Sequence, residues 1–206
     1  APRPDGPDLV LLPNGARSHP ALSEWMADGA LGAIARWALG VESVRLLQDG
    51  ILHKPPGCTG AVPWHCDHTY VGYLRPPRVV SIRVALTPSC EGSGCLRVRE
   101  GSHRWADALP VQGGASAIPE GALGGLAPRE GPEVFVPLAA GDVSVHVCRL
   151  WHMSGPNPSD APRTRLVFHV ADASCVVDRA RMNPALSALM ETDADGRLTG
   201  SGFPIL

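Results

Sequence analysis

A chain of 206 residues, 44% hydrophobic and 18% charged, fits a single globular domain with a substantial core and excludes a disordered protein. Its formal net charge of −2 gives no electrostatic reason to expect nucleic acid or an anionic membrane as partner. No apolar run is long enough to span a bilayer.

The chain starts Ala-Pro-Arg-Pro-Asp-Gly-Pro, which does not read as a signal peptide and lacks a starting Met, as a processed or trimmed form would. Residues 23–40 carry helix formers and apolar residues at i+3 and i+4 spacing, with Gly40 as a stop. They predict one or two short helices. From Val41 onward the pattern is that of strands. Residues 44–48 and 51–54 flank Asp49-Gly50, a tight-hairpin signal. Further strands are predicted over 79–86, 95–98, 134–138, 142–148 and 165–170. Short strands with Gly/Pro turns and no βαβ alternation point to an all-β barrel or jelly roll with flanking helices. Residues 106–132 have no period and are rich in Gly, Ala and Pro, as a lid or loop insertion over a pocket would be. The tail over 179–190 has helical character. Six cysteines without an export signal are expected as reduced thiols of a cytoplasmic protein; a Cys90–Cys95 bridge is the alternative.

The chemistry concentrates in a few residues. His65 and Asp67 lie two apart in Trp64-His65-Cys66-Asp67, and residues i and i+2 of a strand share a face. One segment can thus offer an imidazole and a carboxylate to one ion, with His152 as a third ligand from a distant strand. Two histidines and one carboxylate that leave open positions are the ligand set of non-heme Fe(II) oxygenases. Arg163 follows His152 after a turn-rich stretch and offers a fixed fork to an anionic co-substrate. Lys54 is the only lysine in a chain whose composition suggests GC-rich coding; it reads as either a functional lysine or a surface accident. Arg165 reads as an exposed strand residue, His146 and His169 as core histidines, and His103 as a turn support. His68, Tyr70, Trp105 and Trp151 flank the proposed metal strands and are candidate pocket walls, with core packing as the default for the aromatics.

Trp64-His65-Cys66-Asp67, the stretch from Glu91 to Trp105 with its Gly101-Ser102-His103, Gly141-Asp142, His152-Met153-Ser154-Gly155-Pro156-Asn157 and Pro162-Arg163 together resemble the phytanoyl-CoA dioxygenase family. The resemblance runs from about Gln48 to His169. It implies a double-stranded β-helix, Fe(II), and 2-oxoglutarate with O2 as co-substrates. It also implies His65, Asp67 and His152 as metal ligands, Arg163 as partner of the far carboxylate of 2-oxoglutarate, and Ser154 as its hydrogen-bonding helper. Gln48 and Lys54 fall where members contact the co-substrate. Asp67 argues against a halogenase, in which Gly or Ala frees that site for chloride. Ser93-Gly94 and Glu100 depart from the usual Asn-Gly and Pro, with consequences expected for a turn and not for the chemistry. The implied activity is hydroxylation of a small organic molecule, with release of succinate and CO2. The composition fits bacterial specialised metabolism. The rival readings are a zinc-binding β protein using His65, Cys66, His68 and the Cys90/Cys95 pair, and a jelly-roll sensor that binds 2-oxoglutarate without turnover.

Overall fold

The structure is a computed structural model that describes residues 7–15, 18–105, 131–182 and 184–206. The expected lid over 106–132 lies outside the described residues except for its last two positions. Two antiparallel sheets carry the fold. The larger is ordered β1 (Val10–Pro13), β2 (Val44–Lys54), β10 (Arg163–Asp172), β5 (Val79–Ala85), β8 (Val143–Val147). The smaller is ordered β3 (Val62–His65), β9 (His152–Ser154), β6 (Leu96–Arg99), β7 (Glu133–Val136). From β2 onward the chain passes repeatedly between the two sheets, which is the winding of a double-stranded β-helix. A two-stranded ribbon of β4 (Leu74–Arg75) and β11 (Val176–Val177) lies beside them.

Alternation along β10 divides the molecule. Leu166, Phe168 and Val170 point outward into the main core with Leu46, Val80 and Ile82. Two helices, α1 (Pro20–Ala27) and α2 (Ala30–Leu39), close that core through Met26, Leu31 and Ala35. Phe168 is fully buried, with its ring 5.8 Å from that of Trp25. Burying a side chain of this size contributes roughly 1.5–3 kcal/mol. The predicted helical stretch is thus two helices, broken at Gly29 and ended by Gly40 in the left-handed region. A second core, including Leu74, Cys175 and Met190, lies under the C-terminal tail, where α4 (Pro184–Leu189) realises the predicted helical character. No helix among the described residues is long and apolar enough to cross a membrane.

Two expectations need correction, and one strand is new. Asp49-Gly50 is no hairpin turn. β2 runs straight through it, because Asp49 and Gly50 pair with Phe168 and Val167 of β10 on one side while β1 pairs along the other. Sheet pairing on both flanks overrides the local turn preference. β1 was not foreseen, since a four-residue Val-Leu-Leu-Pro segment carries no alternation. Arg165 is not exposed: it retains 7% of its surface and faces inward with Arg163, Val167 and His169. All six cysteines are free thiols.

Candidate metal centre

The inward face of the barrel is polar, and its centre is built by strand register. β3 and β9 pair so that His65 and His152 are direct cross-strand partners, with ring centroids 4.1 Å apart. An extra residue in β3 between Val62 and His65 shifts the register and re-aims His65. His65 ends its strand. Asp67 does not continue it: its φ of −64° and ψ of −23° make it the residue before the short helical turn α3 (His68–Val71). The strand alternation expected for His65 and Asp67 therefore does not apply. The turn brings the carboxylate back to the imidazoles instead.

The donor atoms of His65, Asp67 and His152 all lie within 4.8 Å of one another, and the three residues are buried. Asp67 Oδ1 is 3.6 Å from Nε2 of each histidine. Ligands held at right angles about 2.1 Å from an ion would be about 3 Å apart, so the cluster needs only a small contraction to close on a metal. Each histidine is fixed by its other nitrogen: His65 Nδ1 donates to the Pro63 carbonyl at 2.8 Å, and His152 Nδ1 to the Leu150 carbonyl at 2.9 Å. That tautomer leaves both Nε2 atoms without a proton, 3.6 Å from Asp67 Oδ1, and the one on His152 accepts from Arg83 Nη2 at 2.9 Å. Burial pushes both imidazoles below their ordinary pKa, so they are neutral donors at pH 7. Burial pushes Asp67 up, but the surrounding His152 and His169 and a hydrogen bond from His146 hold it well below the usual carboxylate range.

The two oxygens of Asp67 have different tasks. Oδ1 faces the histidine pair. Oδ2 accepts from the Ser81 hydroxyl and lies 3.4 Å from His146 Nε2. Ser81 is in turn 3.0 Å from His169 Nδ1. His146 and His169, expected as core histidines, thus surround the carboxylate, and strand pairing of Ser81 with both explains it. Outer partners of this kind are worth 10–100-fold in metal affinity. Ser81→Ala is expected to weaken Fe(II) binding by about that factor, read by competition with a chromophoric chelator.

Lys54, fully buried, reaches Ser154 Oγ and Ser154 O at 3.1 Å each, and it donates to the Gly155 carbonyl. Arg163 is 3% exposed and donates to the Gly94 carbonyl. The cluster opens into a cavity of about 170 Å3, lined also by Gln48, Arg83, Ser154 and Arg165, with Leu11, Leu52, Val62 and Met153 as apolar wall. Arg163 lines a much smaller adjoining cavity that shares Arg83, Leu96 and Arg165 with the first. His68, Tyr70, Trp105 and Trp151, the expected walls, do not line the main cavity among the described residues. His68 follows Asp67 into α3, where burial and Arg149 push its pKa down to about 4. Tyr70 touches His65 from outside, ring centroids 6.2 Å apart, and Trp151 is core. The zinc cluster is not assembled: among the described residues, His65, Asp67 and His152 are the metal-competent group, and Cys66 pairs with Thr69.

Known proteins resemble this chain in sequence and in fold. The family model Phytanoyl-CoA dioxygenase (PhyH) matches residues 15–165. Phytanoyl-CoA dioxygenase domain-containing protein 1 of Danio rerio is 31% identical over 139 residues, 64% of this chain. The match covers 46% of that protein, so the chain spans about half the length of this curated relative. Among solved structures, the non-heme alpha ketoglutarate dependent carbocyclase SnoK from nogalamycin biosynthesis superposes with a TM-score of 0.76 at 25% identity, covering 98% of this chain and 77% of that one. The epimerase SnoN, solved with Fe3+, alpha ketoglutarate and nogalamycin RO, gives 0.71 at 23% identity over 96% of this chain and 78% of its own, a likeness of fold.

Proposed function

Because this chain belongs to the phytanoyl-CoA dioxygenase family, we propose that it is an Fe(II)- and 2-oxoglutarate-dependent oxygenase that hydroxylates a small organic molecule. The observation that carries this reading is the convergence of His65 Nε2, His152 Nε2 and Asp67 Oδ1, each held from behind by a hydrogen bond to its other polar atom. SnoK, described as alpha ketoglutarate dependent, supports it by likeness. When bound, iron with 2-oxoglutarate supplies the oxidation by O2 that yields succinate, CO2 and an oxidised substrate.

The chain's own residues orient and enclose. His65, Asp67 and His152 would hold the ion through Nε2, Oδ1 and Nε2, at the end of the cavity that they line. Arg163 is assigned to the far carboxylate of the co-substrate. Its burial and its lack of an ion pair with any described residue support this, and burial pushes it down only to about 10, so it stays charged at pH 7. Lys54 joins it from the paired strand β2 and Ser154 from the opposite sheet, and Gln48 lines the cavity. The apolar wall of Leu11, Leu52 and Met153 keeps water from the reacting centre.

Lys54 gives this assignment a pH signature. Burial, then Arg163 and Arg165, push it down to about 7. An arriving dianion restores the proton. At pH 8 the binding of 2-oxoglutarate is expected to take up close to one proton. Its affinity should weaken by up to about tenfold per unit as pH rises above 7. Calorimetry in buffers of different ionisation heat reads the uptake, and Lys54→Met should remove it.

The direct test of activity is turnover without substrate. Protein supplied with Fe(II), ascorbate and 2-oxoglutarate should form succinate above background. A rate equal to that of protein-free controls would count against an active oxygenase.

A further inference from the structure

We propose that Arg83 and Arg165 form a second anion-binding position inside the barrel, which takes a carboxylate of the molecule being oxidised. The inference rests on the oxygenase reading above and extends it to a substrate class.

Arg165 lies on the inward row of β10, flanked in register by Leu52 of β2 and Ala85 of β5. It is 7% exposed, lines both interior cavities, and forms no hydrogen bond or ion pair with a described residue. Its Nε is buried without an acceptor. Nothing in the packing needs a guanidinium there, and an unpaired buried cation weakens a fold.

Arg83, one strand over, has one of its acceptors only while the iron ligands are free. Its Nη1 lies 3.0 and 2.9 Å from the two ring nitrogens of His146, a place over the face of the imidazole. Its Nη2 donates to His152 Nε2 at 2.9 Å, and its Nε has no acceptor. The lone pair on His152 Nε2 is the one a metal takes. Loading the site therefore strips Arg83 of that acceptor and leaves two guanidiniums facing one cavity.

Charge points the same way. Among the described residues the lining of the two cavities contains Arg83, Arg163 and Arg165 against Asp49 and Asp67, and Lys54 lies just behind. The iron and the co-substrate carry opposite charges of equal size, so the interior stays positive after both have bound. Arg163, Ser154 and Lys54 are spoken for by the far carboxylate of 2-oxoglutarate. A carboxylate held by the two guanidiniums, both of which line the cavity, removes the excess. The described wall also carries Leu9, Leu11, Leu52, Val62 and Met153 beside Gln48 and Asp49, and about 170 Å3, shared with the co-substrate, is below the range of drug-sized pockets. The fitting substrate is a small carboxylate with an apolar body.

The test uses the anaerobic protein loaded with Fe(II) and 2-oxoglutarate, with phenylacetate as probe and phenylacetamide as its neutral match. Phenylacetate should perturb the absorption of the complex at a concentration at least tenfold lower than the amide. Arg165→Met, and separately Arg83→Met, should remove that preference while changing 2-oxoglutarate affinity by less than threefold at pH 6, where Lys54 is already protonated. Arg165→Met should also raise the Tm of the metal-free protein, and Arg83→Met, which gives up the bond to His152, should keep the circular dichroism of the parent. Equal response to acid and amide would overturn the proposal. So would a loss of 2-oxoglutarate affinity as large as the loss for phenylacetate, which would place these arginines in the co-substrate site. If the unsubstituted protein shows no absorption change on adding 2-oxoglutarate, the oxygenase reading falls and takes this one with it.

Discussion

Replacing His152 with alanine is expected to lower succinate formation by roughly 100-fold or more. The loss of an outer partner alone costs 10–100-fold in such sites, and His152 supplies a donor atom directly. Its Nε2 is one of the three atoms that converge, 3.6 Å from Asp67 Oδ1. The register of β3 on β9 sets His65 directly opposite it, and no other histidine replaces it in the described cluster. His146 is near, with ring centroid 4.6 Å from that of His152, but it is engaged with Oδ2 of Asp67. The variant should stay folded, because the outer core around Phe168 and the helices is untouched. Circular dichroism and the Tm of the metal-free protein check this, and chelator competition should show the metal affinity falling with the activity.

Gly94→Ala is expected to destabilise the protein by roughly 3–5 kcal/mol. Gly94 ends a short turn at a φ of +68°, where a side chain costs about 1–2 kcal/mol. An added Cβ would also land on the backbone carbonyls of Gly155 and Pro156, which cannot swing aside as a side chain does. Gly101 is the control: its φ is +73°, but nothing lies within 4 Å of its Cβ position. Gly101→Ala should lose only the conformational part, about 1–2 kcal/mol. Urea unfolding at pH 7 separates the two. Equal losses would mean that strands and loop do not approach as closely at Gly94 as described. The crowding has a functional side as well. Gly94 O accepts from Arg163 and Gly155 O from Lys54, so displacing either carbonyl disturbs both cations assigned to the co-substrate.

How much of this was legible in the sequence depends on the range of the interaction. His65, Asp67 and His152 were readable as a set because the residue types suit iron, although the local reason was different. Asp67 reaches the site through a helical turn and not by strand alternation. The all-β character was readable from short β-branched segments and their turns. The fate of Asp49-Gly50 was not, because pairing with β1 and β10 is decided by residues far along the chain. Arg165 was missed although a signal existed. Once Arg163 is expected to point inward, period two places Arg165, Val167 and His169 on the same face. The same rule applied to β5 puts Ser81 and Arg83 together, and β8 then supplies His146 through its pairing with Ser81. The expected wall at Trp151 failed for a related reason, since the chain neighbour of the inward His152 points away from it into the core, whereas Tyr70 is carried past the cavity by the helical turn α3.

The most direct measurement is an anaerobic titration of the protein with Fe(II), followed by addition of 2-oxoglutarate, read by visible absorption and metal analysis. The account predicts one iron per chain, a new absorption band that saturates at one 2-oxoglutarate per iron, and loss of both in Asp67→Ala. Iron that binds without any response to 2-oxoglutarate, or binds equally well when Asp67 is removed, would contradict it.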